Sequence, residues 1–277
     1  MGLPQFLVKR IPKQENIRKI RRRIEDPSLH TVCESAKCPN IGECFSKNSL
    51  TFMILGNVCT RNCRFCGVET GIPLPVDSEE PTKISAASQK LALKYVVITS
   101  VTRDDLPDGG AAHFATTVRA LSPRKVEVLI PDFRGREESL KTVLDSSPYV
   151  LNHNIETVPR LYPSIRPQAD YRRSLLLLEK AKMLKDDIYT KSGFMVGLGE
   201  RKEEVFSVLY DLKKAGVDIV TIGQYLPPSR LHPKIERYVE PGEFEAYKEY
   251  GKSLNFLQIF AGPFVRSSYH AAKLMEQ

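Results

Sequence analysis

The chain has 277 residues, 42% of them hydrophobic, which suits one large domain or a domain with extensions around a substantial core. No apolar run approaches the roughly 18 residues that span a bilayer, and residues 1–10 hold neither a long apolar stretch nor a small-residue cleavage site. Neither a membrane nor a secreted protein is therefore expected, and the expected location is cytoplasmic. The net charge of +8 comes with no Trp and no nucleic-acid motif in its required context, so nucleic acid is not an expected partner.

Residues 1–50 are polar, basic and loop-rich, with Pro4, Pro12, Pro27 and Pro39. They are expected to form an N-terminal extension. Eight of their cations are Lys9, Arg10, Lys13, Arg18, Lys19, Arg21, Arg22 and Arg23. A solvated helix face is one reading of that run, and a docking surface for an acidic partner is the other. From residue 51 a repeat of short apolar strand, loop and amphipathic helix begins. The strands are expected at residues 51–58, 95–101, 125–130, 149–154, 193–198 and 218–224, most of them rich in Val, Ile or Leu, as buried parallel strands are. The clearest helix is 201–215, where Val205, Val208, Leu209 and Leu212 recur at helical spacing and Gly216 follows as a terminator. Segments 172–184 and 243–257 read the same way. Such alternation predicts an α/β fold with a parallel sheet. Six units fit before residue 240, whereas a closed eight-unit barrel needs roughly 250 residues. A six-unit open barrel and a doubly wound sheet both satisfy this pattern.

The six cysteines, Cys33, Cys38, Cys44, Cys59, Cys63 and Cys66, all fall in one short stretch. A disulfide framework belongs to small exported chains that lack a core, which this chain is not. Cys59, Cys63 and Cys66 form C-x3-C-x2-C where the first strand ends, at the face on which α/β enzymes carry their chemistry. Three thiolates on one loop suit three irons of a cubane cluster and leave the fourth iron open. Structural zinc is the competing reading, but it wants four ligands, and only His30 lies nearby in sequence.

C-x3-C-x2-C with Phe65 before its last cysteine resembles the signature of the radical S-adenosylmethionine (SAM) superfamily. Cys33, Cys38 and Cys44 give C-x4-C-x5-C just upstream, and Arg266-Ser267-Ser268-Tyr269 stands near the end. Further matching segments are Val101-Thr102-Arg103-Asp104-Asp105-Leu106, His153-Asn154-Ile155-Glu156-Thr157, Lys191-Ser192-Gly193 and Gln224-Tyr225-Leu226-Pro227. Together they resemble the lipoyl synthase family over nearly the whole chain. Another radical SAM enzyme with an auxiliary cluster would lack this pairing of early and terminal motifs, and an electron carrier would need no barrel.

The resemblance implies a partial open (β/α)6 TIM-type barrel at 51–260, an N-terminal extension at 1–50 carrying the auxiliary-cluster cysteines, and a C-terminal segment at 261–277. It implies two [4Fe-4S] clusters and SAM as cofactors. The reduced cluster on Cys59, Cys63 and Cys66 cleaves SAM to a radical. That radical takes hydrogen from C6 and C8 of a protein-bound octanoyl-lysine, and the auxiliary cluster on Cys33, Cys38 and Cys44 gives up the sulfur. The fourth ligand of that cluster is then Ser268, with Ser267 the alternative, and a mere helix cap the structural reading of both serines. The SAM pocket is expected from Asp108, Gly109 and Gly110, from Asn154 and Glu156 for the ribose, and from Arg173 or else Lys191 for the carboxylate. Gly197-Leu198-Gly199-Glu200 is expected to line the adenine. The implied partners are octanoylated lipoyl-carrier domains or H protein, and a one-electron donor such as ferredoxin or flavodoxin.

Overall fold

The computed structural model describes residues 4–8, 14–24, 26–46, 49–268 and 271. The side chains of Gln14, Asn16 and Lys19 are outside that description, as are Lys9, Arg10, Lys13 and Tyr269 altogether. The chain divides into two compact units. The first holds residues 10–61, 67–151 and 270–277; the second holds 1–9, 62–66 and 152–269.

In the first unit, strands β1 (Thr51–Ile54), β2 (Tyr95–Ser100), β3 (Lys125–Leu129) and β4 (Val150–Asn152) lie side by side in that order. The β1–β2 and β2–β3 pairs are parallel, with Thr51 opposite Val97 and Tyr95 opposite Lys125. Phe52, Ile54, Val96, Ile98, Val128, Val150 and Leu151 are fully buried, which is why these strands read as continuous apolar runs. His30–Thr31 pairs antiparallel with the outer edge of β1 and covers it. Helix α1 (Gln14–Ile24) buries Ile20 and Ile24, one turn apart. Helices α2 (Glu80–Lys90), α3 (Ala111–Ala120) and α4 (Glu137–Leu144) follow the successive strands, each burying a short apolar stripe, such as Phe114, Ala115 and Val118 of α3.

The second unit contains helix α5 (Tyr171–Leu184), strand β5 (Tyr189–Val196), helix α6 (Lys202–Lys214), strand β6 (Ile219–Gln224), helix α7 (Pro241–Ser253) and strand β7 (Gln258–Gly262). Its strands are parallel and adjacent, with Lys191 and Gln258 both opposite Ile219. Val205, Val208, Leu209 and Leu212 of α6 are fully buried, and the chain leaves that helix through Gly216 at φ +75°.

All six expected strands are present, with shifted ends. The first stops at Ile54, because Leu55 and Gly56 turn into the left-handed region at φ +68° and +89°. A seventh parallel strand, β7, was not expected from the sequence; four of its five residues are only half-buried, so it lacks an apolar run. Among the described residues no helix is long and apolar enough to cross a membrane.

Candidate active site

The first-strand loop is divided between the two units at residues 61 and 62. In the first, Val58–Cys59 pairs with Glu69–Thr70, and the Gly71 amide donates to the Cys59 carbonyl at 3.0 Å. Cys59 Sγ accepts the amide of Thr102 at 3.2 Å and that of Arg61 at 3.4 Å. Thr60 donates its amide and its hydroxyl to the Thr102 carbonyl, and its hydroxyl accepts the Asp104 amide at 3.0 Å. The Arg61 guanidinium is buried and reaches both oxygens of Asp104, at 2.7 and 3.0 Å, and Asp132 at 2.7 Å. Burial pulls its pKa down, but these carboxylate bonds outweigh that and raise it.

In the second unit the Arg64 amide donates to the Ile165 carbonyl at 2.9 Å, and the Asn62 amide to Gln168 Oε1 at 2.8 Å. The Cys66 amide closes onto the Cys63 carbonyl at 3.0 Å, and His232 Nε2 lies 2.9 Å from the Cys66 carbonyl. Phe65 packs against the buried cluster of Ile165, Leu198 and Tyr225. Arg166 lies near enough to Cys63 for the two charges to interact.

Cys33 lies in the short helix Val32–Ser35, Cys38 in the turn after it, and Cys44 in helix Ile41–Ser46. Thr31 caps the first of these helices through the Glu34 amide. The turn closes with Cys38 N to Cys33 O at 3.0 Å, and Cys44 N bonds Asn40 O at 2.9 Å. Arg21 of α1 bonds Glu34 at 2.6 Å and the Leu29 carbonyl at 3.1 Å, so this cation of the basic run is engaged in the fold. Burial pushes the Cys33 thiol up to about 12, offset in part by the Thr51 backbone and reinforced by the nearby Cys38 and Cys44. A free thiol there is inert, and only a bound cation makes it a thiolate near neutral pH.

None of the six cysteines is in a disulfide. Among the described residues no three His, Cys, Asp or Glu side chains are gathered around the position of a single ion. The fit of each triplet therefore rests on donor chemistry. Thiols on short loops, with backbone amides directed at Cys59 Sγ, match the soft thiolate ligation and amide-to-sulfur bonding of iron–sulfur clusters.

A cluster of buried polar side chains lies in the second unit, past the end of β4. Glu156 adopts φ +63°, donates its amide to the Gly193 carbonyl at 3.1 Å and accepts the Met195 amide at 2.8 Å. A non-glycine residue held there is strained, and such strain concentrates at functional sites. Asn154 Nδ2 donates to Glu156 Oε1 at 3.0 Å. Burial raises the Glu156 carboxyl pKa, while the Arg166 charge and the Asn154 bond lower it. Arg166 Nη1 donates to the Asn154 carbonyl at 3.1 Å and to the Tyr162 hydroxyl at 3.2 Å. Arg166 Nε and Asn154 Oδ1 are buried without a partner, as they would be in a pocket shaped for a polar ligand. A Cβ at Gly193 would sit 2.4 Å from Thr221 Oγ1 and 3.0 Å from Asn154 Oδ1, so a side chain there would push these groups aside. Lys191 is buried two residues earlier, on the same face of β5.

The remaining expected SAM-site residues also make local contacts. Asp108 caps α3, accepting the amides of Gly110 and Ala112 at 2.9 and 2.8 Å. Gly109 and Gly110 have φ +65° and +90°, and a Cβ on the latter would meet a Leu55 methyl at 2.3 Å. Arg173 is half-buried in the first turn of α5, its amide bonded to Asp170 at 2.7 Å. The Glu200 carboxylate is turned inward onto the amides of Gly197 and Leu198, at 2.7 and 2.9 Å. Arg266, Ser267 and Ser268 are half-buried beyond β7. Arg61, Arg166 and His232 were not singled out by the sequence: Arg61 stands within the motif with nothing to show that its side chain turns inward, and only the fold brings Arg166 and His232 near Cys63 and Cys66.

Residues 53–212 match the family model of the radical SAM superfamily. The chain is 54% identical over 271 residues to a lipoyl synthase of Caldanaerobacter subterraneus subsp. tengcongensis, covering 97% of this chain and 95% of that one. To a lipoyl synthase of Caldicellulosiruptor saccharolyticus it is 55% identical over 272 residues, with the same coverages. The chain belongs to the lipoyl synthase family of radical SAM enzymes. Family membership brings the cofactors, SAM and two [4Fe-4S] clusters, and the reaction class, sulfur insertion. Solved structures show the fold. Methylornithine synthase superimposes with a TM-score of 0.55 at 15% identity, over 76% of this chain and 63% of that one. Streptococcus suis SuiB bound to S-adenosylmethionine gives 0.61 at 11% identity, over 80% of this chain and 53% of that one. The architecture is α/β, a partial barrel that stays open, which resolves the choice left by the strand–helix pattern.

Proposed function

We propose that the two cysteine triplets divide one reaction, the insertion of sulfur at C6 and C8 of an octanoyl chain amide-linked to a carrier lysine. Cys59, Cys63 and Cys66 hold the SAM-binding cluster; Cys33, Cys38, Cys44 and Ser268 hold the auxiliary cluster. When bound, these groups supply a carbon-centred radical from SAM and the sulfur that is inserted. The carbons attacked carry no acidic proton, so ordinary acid–base catalysis by side chains has no part in breaking those bonds. The chain's own work is to hold, orient and exclude water.

The observation that supports this reading is the cluster of buried polar side chains around Arg166, which lies near Cys63. Asn154 and Glu156, which bond each other, are the side chains assigned to the ribose hydroxyls, and Arg166, a buried cation whose Nε–H has no partner, is assigned to the carboxylate. Arg166 replaces Arg173 as the preferred partner of the SAM carboxylate, with Lys191 the other buried cation nearby in sequence. A serine oxygen is a poorer partner than thiolate for an iron–sulfide cluster and is released more readily, which suits a cluster that is consumed.

The expected division of the chain is 1–50 for the auxiliary-cluster cysteines, 51–260 for the barrel and 261–277 for the serine ligand. The expected substrates are octanoylated lipoyl-carrier domains or H protein, and the electron donor is of the ferredoxin or flavodoxin class, in the cytoplasm. Supporting the acidic-partner reading, Arg22 and Arg23 at the end of α1 are exposed. The test is anaerobic reconstitution with iron and sulfide, then incubation with SAM, a low-potential reductant and an octanoyl-lysine peptide. The expected product is the lipoyl peptide, and a cluster-loaded protein that cleaves SAM but never forms it overturns the assignment.

A further inference from the structure

Arg61 is the residue between Cys59 and Cys63 whose side chain turns inward. Its side chain is 4% exposed, and of its two carboxylate partners Asp132 is fully buried and Asp104 nearly so. Arg134, half-exposed, meets Asp104 from outside at 3.2 Å, so the two carboxylates are balanced by two guanidinium groups. A buried arginine left unpaired is strongly unfavourable, so this network fixes where the Arg61 backbone lies. That backbone presents the amide that reaches Cys59 Sγ. The same network fixes the segment carrying Asp104, which bonds Thr60, and Thr102, whose amide is the second donor to that sulfur. The Thr70 hydroxyl closes the arrangement on the Arg61 carbonyl at 3.2 Å.

We infer that Arg61 is a positioning residue for the radical-generating step: its ion pairs with Asp104 and Asp132 hold two backbone amides on Cys59 Sγ, and those amides set the reduction potential of the cluster bound there. This rests on the function proposed above. The fork of the guanidinium matters because it meets both oxygens of Asp104 while a third N–H reaches Asp132; lysine has the charge without the fork. Amide bonds to a cluster's sulfurs stabilise its reduced form, so losing them drives the potential down.

The test uses the full chain, as parent, Arg61→Lys and Asp132→Asn. Hydrogen–deuterium exchange of iron-free protein reads the loop without any cluster. Redox titration followed by electron paramagnetic resonance reads the SAM-binding cluster in the loaded protein, with the auxiliary cluster as internal reference. Both variants are expected to exchange about tenfold faster at residues 58–62 and 101–106, with the rest of the chain unchanged. Their SAM-binding cluster is expected to be reduced about tenfold less favourably, a fall of ~59 mV for a one-electron couple. Parent-like exchange and potential in both variants overturn the inference. So does loss of protection across the whole chain, which makes the network a general stabiliser, and if Arg61→Lys does not fold, Asp132→Asn alone decides. Failure of the parent to take up any cluster on Cys59, Cys63 and Cys66 overturns the proposed function, whereas the exchange result stands apart from it.

Discussion

His232 Nε2 lies 2.9 Å from the carbonyl oxygen of Cys66, and its Nδ1 lies 2.9 Å from Ser229 Oγ. A carbonyl only accepts, so in the neutral ring Nε2 carries the proton and Nδ1 accepts from the serine. The last cysteine of the loop is thus fastened to the segment that follows β6. His232→Ala removes the donor and frees that carbonyl, a loss of about 1 kcal/mol for a neutral hydrogen bond. The expected outcome is faster iron loss on anaerobic dilution, roughly fivefold at that energy, with the auxiliary cluster retained. Equal retention by parent and variant would show that the contact is incidental.

The triplets are separable. Replacing Cys33, Cys38 and Cys44 together by Ala leaves the loop of Cys59, Cys63 and Cys66 intact, so 5′-deoxyadenosine is expected without lipoyl peptide. Replacing Cys59, Cys63 and Cys66 is expected to abolish both, because SAM cleavage comes first. Chromatography of the nucleoside and mass spectrometry of the peptide read both in one tube. Lipoyl peptide from the first variant would falsify the sulfur-source assignment. Its folding control is near-parent far-UV circular dichroism, since a cluster may also organise the segment that holds it.

Ser268→Ala is expected to lower sulfur insertion at least tenfold while leaving SAM cleavage within about twofold, because the proposed ligand set loses its fourth member while the radical loop is untouched. Ser268→Cys replaces oxygen with a softer donor, so its cluster is expected to be more stable and slower to release sulfur. Parent-like yields from Ser268→Ala would turn attention to Ser267.

Glu156 makes stability depend on pH. Burial raises its carboxyl pKa in the folded chain, so the folded state holds that proton more tightly than the unfolded one does. The associated stability is complete below the ordinary glutamate value of about 4.3 and is lost as pH rises through the folded value. Glu156→Gln stays neutral throughout. Its melting temperature relative to the parent is therefore expected to climb as pH rises from 4. At the same time, SAM affinity is expected to fall at least tenfold, at about 1.5–3 kcal/mol for a hydrogen bond to a charged group. A pH-independent difference between the two melting curves would contradict the raised carboxyl.

The basic helix makes a smaller claim. Arg21 is engaged with Glu34, leaving exposed Arg22 and Arg23 as the testable pair. Neutralising both as Arg22→Gln and Arg23→Gln is expected to raise KM for an intact octanoylated carrier two- to fivefold at low salt and to leave a short peptide unaffected. The gap is expected to close above physiological ionic strength, where screening acts over about 8 Å. No change with the intact carrier would leave the exposed pair as a solvated face.

The sequence disclosed the strands of the barrel because parallel strands buried on both faces must be apolar, as Val96 and Ile98 or Val220 and Ile222 are. It disclosed the cysteine loop because ligand spacing is local. The half-exposed β7 and the weakly striped helices α2 and α3 were not legible, since their place is set by neighbours distant in sequence. Site residues divided along the same line. Asn154 and Glu156, two apart on one loop, do bond each other. The Asp108 oxygens accept amides at the start of α3, a use that Asp-Gly-Gly before a helical run also predicts. Arg166 was missed because nothing in Ile165-Arg166-Pro167 signals that this arginine turns inward.

At Gly223 in β6, the Val265 carbonyl oxygen lies 2.1 Å from where a Cβ would stand. The tail beyond β7 is thus laid against bare backbone, and any side chain at 223 would lift it. On the proposed ligand set this orders events in biosynthesis. A chain emerging from the ribosome exposes all six cysteines early, and its SAM-binding loop is complete well before synthesis ends. The serine that finishes the auxiliary cluster arrives only when the last strand has paired and the tail has settled over Gly223. A chain truncated after Gly262 is, on this view, a SAM-cleaving protein with an unfinished sulfur store.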